Sequence, residues 1–299
     1  MSQTAAEKKK NKSTWLVRLA ALGILLAGVG ILLYPLISNY LYEQNQQQLA
    51  AYYENLAGQL PEEEKSEELE AVQDYNADLV SGGVLLTDPF DANQLDPSVQ
   101  PYADLLNLQG DGAMGTLEIP AIGLNLVIYH GTTEEVLQKG VGHLQGTSLP
   151  VGGIGTHAVL SAHTGLPDKE LFTDLDQMVI GDVFYIHVLG ETLAYQVDQI
   201  LVVEPSNTQD LKINAGEDYV TLVTCTPYGI NSHRLLVRGT RIPYEEAQAI
   251  QQQTMDRPVT TWQQQYLTAV AVGLAILAAV ILLVMLLRRR RKKKRKQNL

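Results

Sequence analysis

Thr221-Leu-Val-Thr-Cys225-Thr-Pro-Tyr-Gly-Ile-Asn-Ser-His233-Arg234-Leu-Leu-Val-Arg-Gly239 is the stretch on which the reading of this 299-residue chain turns. Tyr219–Thr224 reads as a strand that delivers Cys225, the only cysteine, to its end. A loop holding Pro227 and Gly229 follows, and Arg234 opens a second strand. A strand–loop–strand of this kind can set Cys225 and Arg234 side by side at one rim of a β-fold. Upstream, His157–His163 reads as another strand, broken by Thr164-Gly165. Its period of two puts His157, Val159, Ser161 and His163 on one face. A thiol, an imidazole and a guanidinium at three strand ends could meet at one mouth.

Those residue types suit acyl transfer. The thiolate is the nucleophile, and an unperturbed thiol is mostly protonated at neutral pH. A nearby His takes up or shares the proton and returns it to a leaving amine. A fixed Arg neutralises the oxyanion of a tetrahedral intermediate. Taken singly, each residue has a plainer reading: Cys225 as a small buried hydrophobe, His163 as a core histidine, Arg234 as a surface cation. The spacing alone does not decide between the two.

Working outward, short apolar or alternating runs bounded by Gly and Pro recur from Met114 on. They are Gly115–Ile119, Leu124–Tyr129, His157–His163, Val183–Val188, Leu193–Val203, Tyr219–Thr224 and Leu235–Ile242. Seven or eight short strands suggest a β-barrel or sandwich. Thr132–Gly140 and Lys169–Met178 read as short helices inserted between strands. Glu43–Leu60 reads as a polar-faced helix, and Ala71–Leu79 as another that ends at Ser81-Gly82-Gly83. The acidic run Glu62–Glu70 reads as solvated helix rather than a calcium site. Glu245–Gln265 reads as a Gln-rich linker. No metal-binding spacing is present, and His130 and His143 receive no role.

The ends explain the charge. Lys+Arg number 22 and Asp+Glu 33, for a net of −11. Residues 1–18 carry five basic groups and one acidic, 288–296 carry nine basic groups in a row, and Ser38–Tyr266 carries eight basic against 32 acidic. That balance argues against a nucleic-acid partner. Leu19–Ile37 and Leu267–Leu287 hold no charge, and 21 helical residues rise about 32 Å, enough for a bilayer core of about 30 Å. Basic residues outside both runs put the two termini in the cytoplasm and the middle outside, on a two-pass membrane protein. A cleaved signal peptide is the other reading of the first run, but no small-x-small site follows it. The basic tail also suits anionic membrane lipid.

The stretch Thr221–Gly239 resembles the active-site segment of sortases, above all the class C, pilin-polymerising type. The TLxTC motif is present, with Arg234 nine residues after Cys225. His157-Ala-Val-Leu-Ser-Ala-His163-Thr-Gly resembles the family's histidine strand, and Leu117-Glu-Ile-Pro-Ala-Ile-Gly123 an early barrel strand. The likeness runs from about Ala71 to Tyr244. It implies a mainly β, closed barrel of about eight strands with short inserted helices, preceded by a helical region and flanked by two membrane helices. It implies Cys225 as nucleophile, His163 as general acid/base, Arg234 as oxyanion- or substrate-stabilising group, and no cofactor or metal. Thr224 and His233 are candidate site-lining residues.

The resemblance also reads Asp88-Pro89-Phe90 as a lid motif, with Asp88 pairing with Arg234 and Phe90 covering Cys225. A lid held by one exposed ion pair, worth about 0–1 kcal/mol, would be weakly held. The expected organisation is a basic tail (1–18), a span (19–39), a helical region (40–83), a lid (84–98), the barrel (99–245), a linker (246–266), a second span (267–287) and a basic tail (288–299). The implied substrates are pilins or surface proteins with C-terminal LPxTG-like signals, with the Lys of a second pilin as acceptor. Other readings are a housekeeping sortase acting on peptidoglycan and a non-catalytic envelope scaffold. An L,D-transpeptidase would carry an SHGC-type motif, which is missing.

Overall fold

A computed structural model describes residues 3–82, 86–91, 95–254 and 257–297, apart from the side chains of 3–14, 81–82 and 291–297. Residues 83–85, 92–94, 255–256 and the extreme ends lie outside, so parts of the expected lid (84–98) are not among the described residues. Two units are distinguished: residues 38–261, and residues 1–37 with 262–299.

The second of these holds the two uncharged runs, both helical. Helix α1 spans Gln3–Gly58 and a later helix spans Trp262–Gln297. The apolar window of each is wholly exposed. Such surface is costly in water and natural in lipid. Near the inner ends of the two runs, Tyr266 donates its hydroxyl proton to the Leu32 carbonyl at 2.8 Å, and Trp262 stacks on Tyr266.

In the other unit, helix α2 spans Glu62–Gly82, taking in the acidic run as a solvated helix face. Eight strands follow: β1 Ala113–Ile119, β2 Leu124–His130, β3 Val141–His143, β4 Thr156–Ser161, β5 Val183–Val188, β6 Glu191–Val203, β7 Asp218–Thr226 and β8 His233–Ile242. Helix α3, Glu134–Lys139, lies between β2 and β3. Helix α4, Tyr244–Thr254, follows β8, and the Trp262–Gln297 helix is α5.

The strands close into a barrel in the order β1-β2-β3-β4-β7-β8-β6-β5. The β2–β3 and β4–β7 pairs are parallel and the others antiparallel. Alternation decides which residues fill it. Leu117, Ile128, Ala158, Leu160, Phe184, Tyr195, Val220, Leu222, Leu235 and Val237 pack inside as one core. Phe184 stacks on Tyr195 against Gly239, where a Cβ would come within 2.5 Å of the Phe184 ring.

The residues of opposite parity, Val159, Val223 and Leu236, form a second apolar cluster on the outer wall with Leu144 and Leu211. Leu86 and Phe90 lie against this cluster. Helix α2 is pinned to the barrel through buried Asn76, whose amide bonds both the N–H and the C=O of Leu149. Gln46 of α1 bonds Val127 N–H and the Lys139 carbonyl.

Three local expectations change. Strand β3 escaped the sequence because its three residues are too few to show a period; they are fully buried by their neighbours. Lys169–Met178 is not a helix: Leu171 sits at φ +44°, and the segment folds as turns ending in one 3₁₀ turn, Leu175–Gln177. Phe172 N–H bonds the His163 carbonyl, so the segment's polar groups serve the neighbouring chain rather than a helix. The expected linker contains α4, whose Ala247 is fully buried against Val183, Tyr185 and Ala194.

Candidate active site

Register alone brings Cys225 and Arg234 together. In the β7–β8 ladder Cys225 is the direct partner of Arg234, as Val223 is of Leu236. Counting back by twos, both residues stand on the outer wall of the barrel, beyond Val223 and Leu236, rather than inside its mouth. The β4–β7 pair is parallel, with Ser161 opposite Val223. Strand β4 ends there, two residues earlier than the sequence suggests. The chain still runs beside β7 for one more step: Ala162 N–H donates to the Val223 carbonyl at 3.2 Å, and Thr224 Oγ1 donates to the Ala162 carbonyl at 2.8 Å. Continuing that register brings His163 level with Cys225. Gly165, at φ +76°, then turns the chain away.

Thr224 and His233 do not face this wall. Thr224 is buried, and its hydroxyl holds the chain that leads into His163. His233 Nδ1 lies 2.8 Å from Ser232 Oγ, while its carbonyl accepts from Arg234 Nη1 at 3.0 Å.

The segment from Leu86 to Asp91 meets the same wall. Asp88 grips Arg234 in a two-point fork, Nε to Oδ1 at 2.8 Å and Nη2 to Oδ2 at 2.6 Å. Pro89 is buried. The Arg234 guanidinium lies 5.1 Å from the Phe90 ring centre, and the His163 ring centre lies 5.7 Å from it. Phe90 thus packs near both the imidazole and the guanidinium. The pair is not the exposed contact expected from sequence: the Arg234 and Asp88 side chains are only 12% and 14% exposed. Charges removed from water in a good fork are strongly coupled, and loss of one partner leaves the other stranded. Leu86 adds apolar contact, and its carbonyl lies 3.4 Å from Thr208 Oγ1.

Electrostatics follow from this packing. Burial pushes the Cys225 thiol above its ordinary value; Arg234 pulls it back and Asp88 pushes it up again. Burial works against the Arg234 cation, but Asp88 and the Cys225 sulfur outweigh it and hold its pKa above the usual value. With Asp88 in place, Arg234 spends its charge on a carboxylate, and the net shift favours the neutral form of Cys225.

Two other histidines are structural. Buried His157 donates Nδ1–H to the Lys212 carbonyl at 2.9 Å and accepts from Thr221 Oγ1 at 2.7 Å. Burial drives its pKa down to about 4. His143 is fully buried between Tyr102 and the Ser148 carbonyl, and burial takes its pKa to about 3.

Two neighbours of the site were missed by sequence reasoning. Glu134, at the start of α3, places Oε2 3.3 Å from His163 Nε2. Leu86 joins the apolar wall. Neither carries a local signal, since both contacts span long stretches of chain.

Comparison with known proteins agrees with this geometry. The family model described as "Sortase domain" matches residues 117–242. Sortase C-1 from Streptococcus pneumoniae is 49% identical, with a TM-score of 0.62 over 66% of this chain and 99% of that one. A pilus-related sortase C of Group B Streptococcus is 46% identical, with a TM-score of 0.58 over 64% of this chain and 96% of that one. Sortase A of Bacillus anthracis is 27% identical over 183 residues, which is 61% of this chain and 82% of that protein. The barrel, the outer-wall cysteine and these matches lead to one conclusion: the chain belongs to the sortase family of cysteine transpeptidases.

Proposed function

We propose that this chain is a membrane-anchored pilin polymerase. On this reading Cys225 Sγ attacks the Thr carbonyl of an LPxTG-like signal. His163 takes up the thiol proton and passes it to the departing Gly amine as the Thr–Gly amide bond breaks, and the acyl group is left as a thioester on Cys225. The ε-amine of a Lys on a second pilin then attacks the thioester carbonyl, giving up a proton to His163. The C–S bond breaks, and the product is an isopeptide bond with the thiol regenerated. Arg234 neutralises the oxyanion in both steps. It is available only when Asp88 lets go, so Leu86–Asp91 acts as a lid that opens for the substrate.

The observation that carries the reading is Cys225 beside Arg234 under a segment that grips that same Arg234. A related structure is described in terms of pilin substrate specificity, which supports pilin over peptidoglycan as acceptor. The two apolar helices support anchoring. Their basic flanks support cytoplasmic termini with the barrel outside the cell membrane.

The test is polymer formation. Cells expressing the chain with an LPxTG-tailed pilin should yield ladders of high-mass covalent polymer that are lost in Cys225→Ala. Ladders that persist would contradict the reading, and a phenotype independent of Cys225 would favour a scaffold.

A further inference from the structure

A carboxylate behind the imidazole has no part in the steps above. Glu134 stands in the first turn of α3, whose position is set by buried Leu137 and by Thr133, the residue before the helix, which accepts from Val136 N–H. The Glu134 carboxylate is itself held. Gln138, one turn on, donates Nε2–H to Oε1 at 2.8 Å, and the Gln138 carbonyl accepts from Lys169 Nζ at 2.6 Å. That leaves Oε2 directed at His163 Nε2, 3.3 Å away. A carboxylate accepts and does not donate, so a neutral His163 that bonds it must carry its proton on Nε2. The lone pair then lies on Nδ1, leaving that nitrogen free to exchange a proton with the thiol or the amine.

In the present conformation the bond is not completed. His163 Nε2 is buried with no aligned hydrogen-bond partner among the described residues, despite the short approach of Oε2. Phe90 also packs against the ring. Catalytic hydrogen bonds are often poorly aligned before substrate arrives and tighten afterwards. Here the aromatic that packs on the ring belongs to the segment that must leave.

We propose that Glu134 is the positioning residue for His163: it fixes the Nε2–H tautomer and orients the ring once Phe90 withdraws. The proposal rests on the reading of His163 as acid/base. Glu134 is 71% exposed, so its removal should hardly affect the fold, since exposed charge contacts contribute little to stability. Its effect should fall on turnover.

The test uses the full-length chain in detergent, in wild-type and Asp88→Ala backgrounds, with an LPxTG peptide and an amine acceptor. Glu134→Ala should lower kcat about 10- to 100-fold, a part of what a positioned acid–base group contributes. KM for the peptide should be unchanged and Tm within a degree or two. Glu134→Gln, which keeps an acceptor oxygen, should recover a substantial part of the loss. Nitrogen-15 spectra of histidine-labelled Asp88→Ala protein, with His163 assigned by its loss in His163→Gln, should show the Nε2–H tautomer. In Asp88→Ala/Glu134→Ala they should show a mixture.

An unchanged kcat in Glu134→Ala would overturn the proposal. So would an Nδ1–H tautomer, or a loss confined to KM for the amine, which would make Glu134 an acceptor-binding group instead. His163→Ala separates the two levels. If it stays active, the acid/base reading falls; if it is dead while Glu134→Ala is normal, only the present proposal falls.

Discussion

Of the three arginines on strand β8, Arg234 and Arg238 stand four residues apart on one face, and they meet the same chemistry with opposite consequences. Arg238 forks onto Asp198 at 3.0 and 2.7 Å and lies 4.2 Å from the Tyr219 ring centre. Arg234 forks onto Asp88 at 2.8 and 2.6 Å and lies 5.1 Å from the Phe90 ring centre. Each is a bidentate carboxylate pair capped by an aromatic face.

The first pair joins β8 to β6 at the bulge between Val197 and Gln199, and Tyr219 belongs to β7. All three residues belong to strands of the barrel, Asp198 as the bulge residue of β6. In the second pair both the carboxylate and the aromatic belong to one short segment outside the ladder. The pair there is also the drier, 12% and 14% exposed against 22% and 28%. What distinguishes the two is the partner's own attachment: one fork joins strands of the scaffold, and on the proposed reading the other holds a removable cover that keeps a cation occupied until it is needed.

The comparison breaks most visibly at the arginines. Arg234→Ala should lower kcat for peptide transfer by about 10²–10³-fold, the loss seen when one oxyanion donor is removed. Arg238→Ala should stay within a few-fold of wild type in activity and lose stability instead, by about 1–3 kcal/mol for a stranded Asp198. Equal activity losses in steady-state assays would erase the distinction.

The carboxylates sharpen it. Asp88→Ala removes a charge that disfavours the thiolate and lets water reach the sulfur, so both changes favour ionisation. The pH midpoint for Cys225 alkylation should move down. The rate at neutral pH should rise with it, since a lower midpoint means more thiolate at that pH. Asp198→Ala should leave the alkylation profile where it is. A midpoint that moves up in Asp88→Ala would contradict the electrostatic account.

A smaller effect belongs to the scaffold end. His157 stays neutral in the fold, with a pKa of about 4, against about 6.5 in an unfolded chain. The unfolded state therefore binds the extra proton between these values. The stabilisation is complete above about pH 6.5 and is lost as pH falls toward 4, by up to about 3 kcal/mol. Denaturant titrations should show this decline, and His157→Gln should flatten part of it. Cys225 alkylation by a probe admitted in Asp88→Ala should not depend on His157.

Much of this was legible in the sequence because it depends on parity. Alternation along Tyr219–Thr224 and Leu235–Ile242 identifies the two strands, and a tight connection makes them neighbours; Cys225 beside Arg234 then follows. What parity does not say is which side of the barrel wall is the outside, and Cys225 proved to lie on the outer wall. The Asp88 contact was indicated only by resemblance, and its burial depends on Leu86 and Phe90 meeting Val159, Val223 and Leu236 from far along the chain. Glu134 was hidden for the same reason, and β3 because three residues have no period. Lys169–Met178 misled because its apolar spacing suits a helix, while Leu171 and the bond to the His163 carbonyl impose a different path.

The central claim is that Cys225 becomes acylated by a sorting signal once the Asp88–Arg234 fork opens. Intact-mass measurement of the full-length chain incubated with an LPxTG peptide tests it most directly. The account predicts a Thr-terminated acyl adduct on Cys225, sparse in wild type, several-fold more abundant in Asp88→Ala and missing in Cys225→Ala. An adduct that survives Cys225→Ala, or its absence from Asp88→Ala under conditions where the thiol alkylates freely, would contradict it.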